Sequence, residues 1–168
     1  MTALSDILAV VEIDHAANFF VSDIVLRRFN IAQVGGGRHF VAFYKASPGV
    51  LWPVGYVNQS PWEQCYLCNA LSTDNVLVRQ IPDEHRSIIF DEGGGVAEQL
   101  LRHSFAKVMP GSKAIWGYVG NPRAEEVDKR VGLRRIDHPY LMVAWNDDVV
   151  REEEKVELIS RAIQLGAF

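Results

Sequence analysis

The apolar positions of this chain change their period several times, and each change marks an element. Over residues 4–30, Ile7, Val10, Val11, Phe19, Phe20, Ile24, Leu26 and Phe29 recur at helical spacing. Arg27 and Arg28 stand near the end of that stretch, where cations suit a helix C-terminus. Gly35-Gly36-Gly37 then breaks the chain as a turn ahead of a strand. Three strand-like runs follow, His39–Tyr44, Val54–Val57 and Cys65–Leu71. Ser47-Pro48-Gly49 closes the first and Pro61-Trp62 precedes the third, so the short connections predict an antiparallel meander.

Helical spacing then returns in pieces. Ser72-Thr73-Asp74 supplies N-cap residue types for a short helix carrying Val76, Val78, Arg79 and Ile81. Pro82 with Asp83 and Glu84 reads as a second start, with Ile88, Ile89 and Phe90 on its inner face. After Gly93-Gly94-Gly95, the residues Val96, Leu100, Leu101, Phe105 and Val108 line one face of a helix that Pro110-Gly111 stops. Ala114–Val119 reads as a buried strand. Asn121-Pro122 starts a short helix through Arg130, closed at Gly132, and Leu133–Trp145 carries one or two strands interrupted at His138-Pro139. Residues 152–165 form a closing amphipathic helix with Val156, Ile159 and Ile163 inward. With no repeat, linker or low-complexity segment, the expectation is one domain over 1–168 of mixed α/β (α+β) class.

Composition narrows the partners. The 168 residues are 48% hydrophobic and 23% charged, enough for a real core. A net charge of −4, from 17 basic and 21 acidic residues, gives no overall field for phosphate polymers or anionic lipid. Neither nucleic acid nor membrane is therefore expected as a partner. No run approaches the roughly 20 apolar residues of a membrane span. Met1-Thr2-Ala3-Leu4-Ser5-Asp6 lacks the basic start and apolar core of a signal peptide, and a cytoplasmic location is the expectation. Cys65 and Cys68 form a C-x-x-C that is open to a redox or half-zinc reading. Its flanks read as strand, where residues three apart face opposite ways, and no second pair completes zinc. Two small apolar residues in a strand, with no metal, is the favoured reading.

The chemistry concentrates at the glycines. A helix N-terminus offers free N–H groups and partial positive charge, and glycines let an anion approach the backbone. Gly93, Gly94, Gly95, Val96 and Ala97 therefore form a candidate pyrophosphate site, with a plain helix–helix turn as the bland alternative. Glu92-Gly93-Gly94-Gly95-Val96-Ala97 leading into Glu98-Gln99-Leu100-Leu101 resembles the cofactor loop of the GNAT N-acetyltransferase superfamily, Gln/Arg-x-x-Gly-x-Gly/Ala before a Leu-Leu helix. The resemblance spans residues 40–145 and includes Ile115–Val119, Asn121, the helix from Ala124 to Arg130, Gly132-Leu133 and the strand Tyr140–Trp145.

That resemblance implies a GNAT-like, mostly antiparallel sheet with flanking helices, and an acyl-CoA cosubstrate, acetyl-CoA first among them. It adds Asn121 to the cofactor-binding residues and implies a pantetheine cleft between the strands at 65–71 and 114–119. The implied activity is direct acyl transfer to a small-molecule or peptide amine; a non-catalytic GNAT-shaped binding protein is the alternative, and a homodimer is compatible with either. Three departures stand out. Glu92 replaces Gln or Arg, residues 72–92 separate strand from loop, and Asp128 stands where the family often has a tyrosine acid. An ionised aspartate cannot protonate a leaving thiolate, so that role passes to another group, with Tyr118 and Tyr140 as replacements. Asp74 and His138 are the candidate bases, each also readable as a loop residue, and Arg79 and Arg86 are candidate anion ligands or plain helix charges.

Overall fold

The computed structural model describes residues 2–14, 16–31 and 33–168; Met1, His15 and Ala32, which fall in the N-terminal reading, the 4–30 stretch and the following turn, lie outside them. The strands are β1 (Leu8–Ile13), β2 (Arg38–Ser47), β3 (Val50–Trp62), β4 (Cys65–Thr73), β5 (Ala114–Tyr118), β6 (Arg134–Arg135) and β7 (Leu141–Trp145). They form a seven-stranded sheet in the order β1-β2-β3-β4-β5-β7-β6. Every neighbouring pair is antiparallel except β4 and β5, which run parallel. The helices are α1 (Leu4–Ile7), α2 (Ala17–Phe29), α3 (Asn75–Gln80), α4 (Asp83–Ser87), α5 (Val96–Val108), α6 (Pro122–Arg130) and α7 (Glu152–Leu165), with a π-helical turn at Ile88–Glu92. The meander and the parallel strand after the glycine-led helix stand as expected.

Period-two alternation sorts the side chains into two layers. On one face, Phe40, Ala42, Val57, Ile115 and Met142 meet Leu100, Leu101 and Phe105 of α5. On the other, Val41, Phe43 and Tyr56 meet Val21 and Val25 of α2, while Leu67, Trp116 and Val143 meet Leu158 and Ala162 of α7. Cys65 and Cys68 fall on opposite faces, the first against Trp116 and the second against the α5 core. Trp116 is fully buried, with Trp62 and Trp145 edge-on at 6.3 and 5.3 Å. Trp145 itself is half-buried, its ring covered by Lys155.

Three local expectations need correction. Residues 8–13 are a strand: this β-branched run pairs along β2 and carries the sheet edge, so its apparent helical spacing is a by-product of a short apolar segment. In α7 Ile159 packs inward as expected, but the buried residues beside it are Leu158 and Ala162, while Val156 and Ile163 are exposed, so the inward stripe is turned relative to the expected one. Phe90 points outward and lies over Gly95, where a Cβ would meet its ring at 3.2 Å.

Candidate functional site

The parallel pair does not stay paired. β4 and β5 are in register only from Tyr66–Ile115 to Cys68–Gly117, yet β4 continues to Thr73. A bulge in β4 drives them apart. Tyr56 faces Ser72 and Asn58 faces Asn69, so Ala70 and Leu71 together stand opposite Val57. Ala70 takes a left-handed φ of 52°, which sets Asn69 and Ala70 on one face and Leu71 on the other. On the far side β5 ends at Tyr118, and Asn121 caps α6, its Oδ1 accepting the Arg123 N–H at 2.9 Å. A cleft of about 230 Å³ opens between the parted strands. Cys68, Leu71 and Leu133 line it from the α5 side, and Ala70, Tyr118 and Phe168 from the other, so it passes through the sheet.

Asp128 on α6 projects into this cleft and is buried. Burial first, and the Glu125 charge second, push its carboxyl up to about 7. The Cys68 thiol beside it is also pushed up, mainly by burial and then by Asp128. The expectation that Asp128 is a fully ionised group, unfit to give a proton, is thereby corrected: a carboxyl raised to about 7 is still protonated in a substantial share of molecules near neutral pH.

The glycine loop is arranged differently from the expectation. Gly94 and Gly95 have φ of 69° and 100°, conformations that glycine alone adopts without strain, and Gly95 is the N-cap of α5. The Gly93 and Gly95 N–H groups are already spent on the carbonyls of Ile88 and Ile89, at 3.2 and 2.9 Å. Val96 and Ala97 open the helix, so their N–H groups have no intrahelical acceptor. Across this helix start lies a carboxylate, that of Glu98. A Cβ on Gly94 would fall inside it. Its Oε1 accepts Arg102 Nη2 and Nε at 2.7 and 2.9 Å, and its Oε2 accepts Arg130 Nε at 2.6 Å. Burial alone would raise this carboxyl, but the bonds from Arg130 and Arg102 outweigh it and hold it below its usual range. Glu98 is thus a buried carboxylate held by two arginines beside the start of α5, and Glu92 is exposed.

Of the three side chains singled out as catalytic candidates, Tyr118 and His138 pack against each other while Asp74 stands apart. Tyr118 lines the cleft. His138 lies against Tyr118, ring centroids 6.2 Å apart and planes tilted by 56°, and its Nδ1 accepts the N–H groups of Tyr140 and Leu141 at 3.2 Å. Asp74 caps α3, its Oδ1 accepting Val76 and Leu77 N–H at 3.0 and 3.1 Å, while its Oδ2 accepts Arg27 Nη2 at 2.5 Å. Both oxygens are committed to structure. Arg86 is likewise spent on the carbonyls of Arg79 and Ile81.

A second cavity, of about 390 Å³, lies on the α2 face. Val25, Phe29 and Val34 form its apolar wall, and Tyr56, Asn58, Ser60 and Asn69 its polar one. It shares Phe29, Ala70 and Phe168 with the cleft, so the two meet at the β4 bulge.

No protein-family model and no curated protein sequence matches the chain. Solved structures do. A GNAT family N-acetyltransferase from Escherichia coli, solved with CoA, superposes with a TM-score of 0.57 at 15% identity over 84% of this chain and 83% of that one. A GNAT family acetyltransferase from Brucella melitensis, solved with acetyl-CoA, gives 0.56 at 12% over 83% and 88%. NAA60 from Arabidopsis thaliana, also with acetyl-CoA, gives 0.58 at 13% over 83% and 99%. The chain has the GNAT fold.

Proposed function

We propose that the protein is an acyl-CoA-dependent N-acyltransferase that passes an acyl group, acetyl in the first instance, directly to an amine. The observation that carries this reading is the meeting of two cavities at the β4 bulge: one runs through the sheet between β4 and β5, the other lies on the α2 face. Two ligands entering from the two sides would present their reacting ends at Ala70. The residues suit such a cosubstrate in kind. The cleft is narrow and walled by Leu71, Val119 and Leu133, and the guanidinium groups of Arg102 and Arg130 already hold an anion. The solved structures of this fold that contain CoA or acetyl-CoA support the same choice.

The cosubstrate supplies an acyl group activated as a thioester. This chain supplies the rest. The bulge frees backbone groups from the ladder, so the Ala70 and Leu71 N–H groups are the candidate donors to the developing oxyanion. Asp128 is the candidate donor of a proton from its carboxyl oxygen to the departing thiolate, the proton shed by the acylated amine nitrogen restoring its acid form, and Tyr118 walls the same cleft. Arg102 and Arg130, with the Val96 and Ala97 N–H groups, are the diphosphate ligands once Glu98 has turned aside. Asn121 stays with the cofactor side through its place in the cleft wall.

A specific observation favours a second reading, a GNAT-shaped protein that binds without catalysis: the guanidinium groups of Arg102 and Arg130 are taken by the chain's own Glu98. Calorimetry with acetyl-CoA and a thiol-release assay over an amine panel decide between them. The transferase reading expects binding at or below millimolar concentration and amine-dependent thiol release; no binding there leaves the second reading. Asp74→Ala separates a cap from a base. It should cost about 1–2 kcal/mol in urea unfolding and leave turnover per folded molecule unchanged, whereas a loss of kcat at intact stability would return Asp74 to the chemistry.

A further inference from the structure

We propose that Phe168 sets the size of the acyl group: its ring closes the α2 end of the through-sheet cleft and selects acetyl over longer acyl chains. The inference rests on the transferase reading above and adds to it the class of acyl donor. The segment after α7 places this ring. Gly166 takes φ 77° and ψ −151°, a conformation that glycine alone adopts without strain, and it turns the chain out of the helix. α7 itself is anchored by Leu158 and Ala162 in the Trp116 layer. Leu165 and Ala167, on either side of the turn, are exposed. Phe168 instead is half-buried and packs edge-on against Tyr118, ring centroids 5.9 Å apart.

The ring stands where an acyl chain would lengthen. Phe29, Ala70 and Phe168 line both the cleft of about 230 Å³ and the cavity of about 390 Å³ on the α2 face, so they form the partition between the two. A thioester carbon carries three substituents in one plane. With its sulfur toward Cys68, Leu71 and Leu133 on the α5 side and its oxygen at the Ala70 and Leu71 N–H groups, the third substituent points onward through the sheet. There it meets Phe29 and Phe168. Phe29 is held in the last turn of α2, whereas Phe168 belongs to no helix or strand and owes its place to the Gly166 turn and to Tyr118. An acetyl methyl ends against this wall, and each further methylene needs space that the Phe168 ring fills. A packed apolar wall of this kind discriminates by about tenfold or more for one methylene. Without the ring, the cleft opens onto the larger cavity and its apolar wall of Val25, Phe29 and Val34. Each methylene buried there gains about fourfold in affinity.

Acetyl-CoA, butyryl-CoA and hexanoyl-CoA test this, titrated by calorimetry against the full chain, with free CoA alongside and no acceptor present. The wild type should bind acetyl-CoA tightest and lose about tenfold or more on going to hexanoyl-CoA. In Phe168→Ala the ratio of hexanoyl-CoA to acetyl-CoA affinity should rise by about tenfold or more. Phe168→Tyr keeps the ring and should keep the wild-type order. Free CoA ends at its thiol, short of Phe168, and so tests the cofactor site by itself. A wild type that binds neither CoA nor any acyl-CoA removes the transferase reading, and this inference with it. A wild type that binds free CoA but takes hexanoyl-CoA as tightly as acetyl-CoA overturns this inference alone, and so does Phe168→Ala with the wild-type order. Equal weakening of all four ligands in Phe168→Ala also overturns it, because that marks a structural role.

Discussion

Replacing Glu98 with serine is expected to tighten CoA binding by about tenfold to a hundredfold. The wild-type carboxylate lies across the start of α5 and occupies two guanidinium groups. An incoming diphosphate must first displace it, losing the three short charge-assisted bonds before gaining its own. Serine removes the competing charge, shortens the side chain and leaves Arg102 and Arg130 free. Glu98→Gln keeps the shape and removes only the charge, so it should fall between serine and wild type. Both variants forfeit the tie between α5 and α6. The arginines are about half exposed while Glu98 is buried, so the cost is about 1–2 kcal/mol. Calorimetric titration with CoA and with dephospho-CoA is the measurement. CoA affinity unchanged in both variants would mean that Glu98 does not occupy the phosphate position, and the placement of the cofactor at this helix would be abandoned.

The sequence reading and the structure part company for identifiable physical reasons. Long periodic segments were legible: the helix at 96–108, the meander, and the parallel strand at 114–118 stand at or near the expected bounds. Their burial is set by repeated local pattern, which one sequence contains. Edge strand β1 was not legible, because six residues with three β-branched side chains fit either period. The bulge was harder still. Its φ of 52° falls on Ala70, a residue with no preference for the left-handed region, and nothing local marks it; the register of β3 against β4 imposes it. Residue identity at the helix start shows the glycines and their N–H donors, but not the carbonyls that Ile88 and Ile89 present to two of them from the π-helical turn. One local signal in the sequence does bear on it: a Glu three residues after a helix N-cap reaches back toward the helix start, and Arg102 lies one turn further on. The role of Asp128 turned on ionisation, which depends on burial by Leu133, Cys68 and the strand layer, and is therefore a property of the fold.

Asp128→Asn is expected to make the protein more stable and less active at once. A carboxyl raised from 3.8 to about 7 binds its proton more tightly in the folded chain than in the unfolded one. The sign follows from linkage: its contribution is fully present below the unfolded value, declines as pH rises toward the folded value, and is gone above it. Asparagine cannot ionise, so the variant and wild type should have similar stability near pH 4. At pH 8 the variant should gain on the order of 1–4 kcal/mol, read as a rise in urea midpoint. Catalysis should move the other way. Without a proton to give the thiolate, kcat should fall by about a hundredfold or more. The wild-type rate should also decline as pH passes through about 7, a limb that the variant lacks. An acyl aryl-thioester distinguishes a proton donor from a residue that merely shapes the cleft, since an aryl thiolate leaves without protonation; with it, the variant's deficit should largely disappear. A variant that keeps its full rate with acetyl-CoA would remove Asp128 from the chemistry. One that is equally slow with both thioesters would make it a wall of the cleft and return the acid role to Tyr118.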